Sequence, residues 1–354
     1  MGSIQTTFKP KNLAKRLLAS LPKRAKEVLE SRYGLGKDVE RQTLEAIGRR
    51  YGITRERVRQ IEEYGLQTIR KSEDYTSAEA ELAELEASIA ALGSIVSEEE
   101  ILERFGKDTG TRNSIHFLLV LGETFFKCKE DDHFCHRWHV DRDLADRIHD
   151  SIKRLYESLD DDDLLAEADL LSRFLDYLKD INEEHKNEEV LKRWLSLSKR
   201  IGVNPLGEWG KSSSPNISVK GIRDYAYLII RRHGSPIHFR EVANAISKTF
   251  GKRAHVATTH NELIKDPRFV LVGRGLYALT EWGYSAGVVK DVIRRVIEKN
   301  GPLTKEDVVD RVLKERYVKT NTILVNLQDP RSFTRLSDGR YDFAAAPGPK
   351  VKAK

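Results

Sequence analysis

Residues 51–65 read YGITRERVRQIEEYG and crowd Arg55, Glu56, Arg59 and Gln60 into one short stretch. These side chains suit planar, multi-point hydrogen bonding. Arg donates in bidentate fashion to O6 and N7 of guanine, Gln pairs with adenine, and Glu accepts from N4 of cytosine. A carboxylate held against phosphates is repelled unless it meets a base donor. Glu56, set between Arg55 and Arg59, therefore points to base edges rather than to a backbone grip. The alternative is an exposed helix face carrying ordinary i,i+3 and i,i+4 charge pairs.

Such a set needs a helix to hold it. At 100° per residue Val58, Ile61, Gly65 and Ile69 fall on one side, with Arg55, Glu56, Arg59, Gln60 and Glu63 opposite. Thr54 is a good N-cap for this helix. Upstream, Thr43 caps a shorter helix with Glu45 in its first turn, where a negative charge suits the dipole, and with Leu44, Ile47 and Tyr51 on its apolar side. Gly52 supplies the open conformation of the turn between them. Two capped helices joined this way, the second with polar residues grouped at its N-terminal end, form a helix-turn-helix.

Residues 21–71, LPKRAKEVLESRYGLGKDVERQTLEAIGRRYGITRERVRQIEEYGLQTIRK, resemble region four of the bacterial primary sigma factors. The likeness runs through LPKR, VLESRYGL, IGRRYGITRERVRQIE and TIR. It implies a module over 21–72 that reads the −35 promoter element and docks on the flap of the RNA polymerase β subunit. It also implies that Arg55, Glu56, Arg59 and Gln60 read bases, and that Arg24, Thr43, Thr54 and Arg57 contact the DNA backbone. Ala25 and Ala46 stand where the family usually has Glu. Gly65 replaces a usual Ala, at roughly 0.5–1 kcal/mol of helix propensity. In a sigma factor this region comes last, whereas here only residues 1–20, a basic N-terminal tail by their charge, precede it, and nothing later resembles the promoter-melting region. The chain is therefore not expected to initiate transcription as an autonomous sigma factor.

Charge is segregated along the chain. Residues 1–72 hold 17 Lys and Arg against 8 Asp and Glu, and residues 211–354 hold 27 against 14. The stretches between are acidic, with 6 against 15 over 73–140 and 11 against 18 over 141–210. Basic ends suit phosphate contacts, and an acidic middle suits spacing or protein docking. No apolar run approaches the roughly 18 residues of a membrane span, and no secretory signal is evident. The two cysteines fit a reducing compartment and exclude a disulfide framework. A cytoplasmic, nucleoid-associated protein is expected.

The remaining chain repeats one plan. Over 222–283, three helical segments (the first near Tyr225 to Arg232, then HFREVANAISKTF and HVATTHNELIKD) precede RFVLVGRGLYAL, which reads as two strands around a Gly-containing turn. That order is a winged helix. SPIHFREVANAI and RFVLVGRGLYALTEWG resemble the HARE-HTH family, found also in the RNA polymerase delta subunit and appended to some restriction enzymes. Over 285–345, NGPLTKEDVVDRVL aligns with HGSPIHFREVANAI, and DPRSFTRLSDGRYDF with DPRFVLVGRGLYAL, giving a second HARE-like unit. Residues 79–140 read as a weaker copy, and the acidic helical segment 141–211 as a degenerate one. The stretch 212–221 has a linker's composition, and 346–354 that of a flexible basic tail. Lys248, Lys252 and Arg253, with His255, are candidate phosphate contacts along the third helix of the 222–283 unit.

Two clusters invite a metal reading. Cys128, His133, Cys135, His136 and His139 share one segment, but Cys-x6-Cys with interspersed His matches no common zinc spacing. In a hairpin, Cys135, Arg137 and His139 would take one face and His136 the other. SLDDDDLLAEAD (158–169) lacks the Gly and liganding Glu of a calcium loop. No nucleophile–base set, phosphate loop or carboxylate pair stands out, so no enzyme activity, cofactor, metal or small-molecule substrate is expected. The expectation is a mainly α chain of tandem helix-turn-helix and winged-helix modules. Its partners would be double-stranded DNA and RNA polymerase, with no membrane, in a bacterial or phage transcription regulator. Two alternatives are a polymerase-binding sigma mimic with little sequence reading, and a DNA-binding subunit of a restriction or defence system.

Overall fold

The computed structural model describes residues 6–284 and 289–344. It falls into two compact units, one of residues 1–203 and 207–214 and the other of 204–206 and 215–354. Both are mainly helical with small antiparallel sheets of two or three strands, as expected.

The first unit opens with α1 (Pro10–Ala19), α2 (Lys23–Tyr33), α3 (Leu44–Tyr51), α4 (Arg55–Arg70) and the short α5 (Glu73–Thr76). The basic tail expected over 1–20 is largely a packed helix. Pro10 starts α1, where its missing N–H costs nothing, and Leu13, Ala14, Leu17 and Leu18 are buried along one stripe. The lysines and arginine between them had hidden that stripe in the charge count.

Four stretches then share one element order. The first is α6 (Glu79–Ala91), β1 (Ile95–Ser97), α7 (Glu98–Phe105), α8 (Thr109–Leu121), β2 (Phe126–Cys128) and β3 (Arg137–His139), with strand order β1-β3-β2. The second is α9 (Arg142–Ser158), α10 (Glu167–Asp176), α11 (Glu188–Ser196), β4 (Ile201–Val203) and β5 (Trp209–Lys211), and Leu165 bridges Trp209. The third lies in the second unit: α12 (Ile222–His233), β6 (Ile237–His238), α13 (Phe239–Phe250), α14 (Val256–Lys265), β7 (Phe269–Gly273) and β8 (Leu276–Leu279), ordered β6-β8-β7. The last is α15 (Val289–Asn300), α16 (Lys305–Glu315), α17 (Thr320–Leu327), β9 (Phe333–Arg335) and β10 (Tyr341–Phe343), and Leu303 bridges Tyr341. In each, the segment after the first helix pairs antiparallel with the second strand of the hairpin.

In the first unit the third helices are interior. α8 packs on α1 and α2 and joins a core that runs from Leu13 to Trp138. Buried Asn113 on α8 donates to the carbonyls of Gly34 (3.0 Å) and Val39 (2.8 Å) and accepts from Arg41 Nε (2.7 Å), clamping the α2–α3 connection. Arg70, at the end of α4, donates to the carbonyls of Leu121 and Val120. α11 seats against the turn after α6. Trp194 Nε1 donates to Gly93 O at 3.0 Å, and Arg193 reaches Leu92 O and Glu100. Gly93 has φ +103°, and a Cβ there would lie 2.7 Å from Val190 Cγ1 and 2.9 Å from Trp194 Nε1, so only glycine admits this approach.

The stretch expected as a linker has no helix or strand, yet it is not loose. Ser214, Asn216 and Ile217 are buried. Arg268 ties Asn216 Oδ1 (3.1 Å) to Asp224 (2.9 Å) and Asp266 (2.7 Å). Composition points to linker residues, and Arg268, just before β7, holds Asn216 among them. The basic tail expected at 346–354 lies outside the described residues.

Candidate nucleic-acid interface

Two threonines set the geometry of the N-terminal module. Thr43 accepts from Ala46 N at 3.1 Å and Thr54 from Arg57 N at 3.2 Å, so both helices start where the capping residues placed them. The turn between them is fixed by Gly52 in the left-handed region (φ +62°) and by Gly48. Ile53 N donates to Gly48 O, and a Cβ on Gly48 would lie 2.7 Å from Ile53 O. Val28, Ile47 and Val58, all fully buried, hold α2, α3 and α4 together.

With Val58 inward, Arg55, Glu56, Arg57, Arg59 and Gln60 are all exposed on the outer side of α4. Four of them pair among themselves. Arg59 meets Glu56 through Nη2 (2.8 Å) and Nε (3.1 Å), and Arg57 Nη1 donates to Gln60 Oε1 at 2.9 Å. The hydrogen bond from Arg59 lowers the Glu56 pKa, and its counterpart raises that of Arg59. Pairs this exposed contribute little to stability, so a base edge can replace them at small cost. Arg24 is exposed on α2, and its charge acts on Tyr51. The Tyr51 hydroxyl donates to Glu27 at 3.1 Å, and burial is the main cause of its raised pKa.

A shallow cleft of about 560 Å³ lies at the turn, lined by Glu45, Arg49, Thr54, Arg55 and Arg57 among others. Arg49, which pairs with Glu45 at 2.8 Å, was not singled out from the sequence, although its place just before Gly52 sets it beside Thr54. Tyr64 was missed too. It is 56% exposed one turn beyond Gln60 on the same row of α4, and an aromatic at i+4 from a candidate residue was the available signal. Gly65, a departure from the family pattern, has a structural reason. A Cβ there would meet Leu29 Cδ1 at 3.0 Å and Ala25 Cβ at 3.8 Å, so Gly65 and Ala25 together let α4 lie close on α2.

The other candidates are placed differently. Lys248 lies in the last turn of α13, and Lys252 and Arg253 lie exposed in the segment before α14 rather than along it, because Gly251 (φ +62°) stops α13 and α14 begins only after His255. Lys252 Nζ sits 4.7 Å over the Tyr225 ring. Cys135 and His136 are not in the hairpin strand. Asp131 Oδ1 accepts from His133 N and Phe134 N and folds the chain into a turn, so β3 starts only at Arg137. Cys135 N instead donates to Leu197 O, and His136 Nδ1 accepts from Glu130 N. Arg137 Nε lies 2.6 Å from His149 Nε2, and His139 stacks on Phe126. Burial pushes both the Cys128 and Cys135 thiols up. No group of three or more His, Cys, Asp or Glu gathers as metal ligands would among the described residues. Nor do Asp160 and Asp163 form a cation loop. Asp163 accepts from Asp160 N and pairs with Arg173.

Residues 17–71 match the family described as sigma-70, region 4. The N-terminal module resembles sigma region four. The match begins within α1 and ends one residue past α4, so it covers the whole helix-turn-helix and the helix before it. A module of that kind is DNA-binding and belongs to transcription by RNA polymerase. No helix among the described residues is long and apolar enough to cross a membrane.

Proposed function

We propose that the protein is a non-enzymatic transcription regulator that reads a −35-like duplex element through α4, in the bacterial cytoplasm or during phage infection. Arg55, Glu56, Arg59 and Gln60 meet base edges, while Arg24, Thr43, Thr54 and Arg57 meet phosphates. The observation that carries this reading is the exposed polar face of α4, capped by Thr54, with Glu56 paired to Arg59. The apolar side of α2 and α4 is occupied by α1 and α8, so RNA polymerase would have to meet the module on its polar surfaces. That favours DNA reading over a role as a sigma mimic alone. The chain past α5 is built of small helix–hairpin units, which supports a regulator working beside a sigma factor rather than as one.

The four repeated stretches are winged helices in this reading. In the two acidic ones the third helix is an interior joint. In the two of the basic second unit it is open, and Lys248 on α13 with Lys252 and Arg253 before α14 add phosphate contacts. Several weak contacts on one chain raise overall affinity through effective concentration. Fluorescence anisotropy on a −35 duplex and a scrambled duplex, at two salt concentrations, tests the proposal. A preference of about tenfold that persists at higher salt is expected, and Arg59→Ala should cost about 1–3 kcal/mol on the −35 duplex alone. Equal, steeply salt-dependent binding to both duplexes would refute base reading.

A further inference from the structure

Gln60 is the uncharged member of the exposed set on α4, and what it can read depends on which way its amide faces. A bidentate pair with adenine needs Oε1 on the N6 amino group and Nε2 on N7. Turning the amide over exchanges donor and acceptor, and that pair is lost. A free glutamine samples both orientations and several rotamers, so a base must select one and order it.

The structure holds Gln60 from two sides. Arg57 Nη1 donates to Gln60 Oε1 at 2.9 Å. A guanidinium carries donors only, so the atom that faces it must be the amide oxygen. Glu56 lies on the other side. The hydrogen bond from Arg59 is the first cause of its lowered pKa, burial opposes it, and a hydrogen bond from Gln60 adds to the lowering. An ionised carboxylate only accepts, so the group that faces Glu56 is the amide nitrogen. Both partners therefore ask for the same orientation.

The row itself is built by the helix. Gln60 stands three residues after Arg57 and four after Glu56, the spacings that make neighbours on a helix surface. Arg57 is also fixed at its base, because its backbone N–H is donated to the Thr54 hydroxyl at 3.2 Å. Val58, fully buried, turns these residues outward.

We propose that Arg57 is a positioning residue for base reading: it holds the Gln60 amide in one donor–acceptor orientation and so sharpens the base preference at the position Gln60 meets. One guanidinium nitrogen serves Gln60, and the rest of the fork can still meet a phosphate. The proposal rests on the reading of α4 as a base-reading helix.

The test uses the full chain, the −35 duplex and a set of duplexes with one base pair of the element replaced at a time. Gln60→Ala, Arg57→Ala and the double variant change exposed positions, and circular dichroism checks their fold. Gln60→Ala should flatten the preference at one base pair. Arg57→Ala should cut the preference at that same base pair about fivefold and leave the others within about twofold, and in the double variant it should add nothing there. Its lost phosphate contact lowers affinity for every duplex alike and cancels in these ratios. A common loss on every duplex, with the Gln60 preference intact, would overturn the proposal and leave base reading standing. So would a wild-type preference that Gln60→Ala leaves whole. A wild-type chain that prefers no base pair at all would remove base reading itself, and the proposal with it.

Discussion

α8 and α14 hold the same place in the same element order and are used in opposite ways. Asn113, Ser114, Ile115, Phe117, Leu118, Leu119 and Leu121 are buried on α8, which is a joint between the N-terminal module and the next. On α14 only Thr259 and Leu263 are buried, and Ile264 is 62% exposed. α11 and α17 repeat the contrast, with fully buried Trp194 on one and Val325 69% exposed on the other. Element order therefore sets where the third helix goes, and side-chain chemistry sets whether it becomes core or surface. The charge of each region agrees: the sealed helices lie in the acidic middle and the open ones at the basic end.

The largest test of that contrast is truncation. Trp194→Ala removes a fully buried ring and its hydrogen bond to Gly93 O, and should cost about 3–5 kcal/mol in denaturant unfolding of the first unit. Ile264→Ala on α14 should stay within about 0.5 kcal/mol. Comparable losses would mean the two helices are equally built in.

Next in size is acid. His149, held down to about 4 by burial and then by Arg137, also faces Asp146, Lys153 and His139. His116 is likewise held to about 4 by burial and then by Arg41, with Lys127 and Arg32 adding and Glu98 opposing. Both are neutral when folded and bind protons more readily when unfolded. Stability should therefore be level above about pH 6.5 and fall as pH drops toward 4, by on the order of 3 kcal/mol. Urea midpoints across that range measure it. A flat profile would show that these histidines are not sealed.

Asn113→Ala should cost about 1–3 kcal/mol, because two carbonyls and the Arg41 guanidinium lose their partner. Amide exchange across residues 34–41 should accelerate with it, and unchanged exchange there would deny α8 its clamping role. The smallest effect is at Gly65→Ala. The helix-propensity gain of roughly 0.5–1 kcal/mol should be offset by the 3.0 Å approach to Leu29, leaving a net change under about 0.5 kcal/mol. A full gain would show that α2 and α4 are not tightly packed there.

The helix-turn-helix was legible because each of its signals is local: Thr43 and Thr54 as caps, Gly52 in the turn, and Val58 and Ile69 at helical spacing. The α14 unit was legible for the same reason, through alternation around Gly273 and Gly275. What the residues did not reveal was long-range. Nothing near Leu13 and Leu17 says that the helix carrying them covers α8, and Asn113 reads as an ordinary polar residue until the α2–α3 connection folds onto it. Cys135 and His136 looked like strand residues because alternation ignores the Asp131 turn that stops the strand. Lys252 and Arg253 were misplaced by one turn, since the end of α13 depends on a single left-handed glycine.

In the proposed function α4 meets DNA, while α8 and α11, third helices of their own units, do not. Hydrogen–deuterium exchange of the full chain, with and without a −35 duplex, tests it directly. DNA-dependent protection is expected across residues 52–60, with no change across 109–121 and 188–196. Protection that appears in α8 or α11 and is absent at the start of α4 would contradict it.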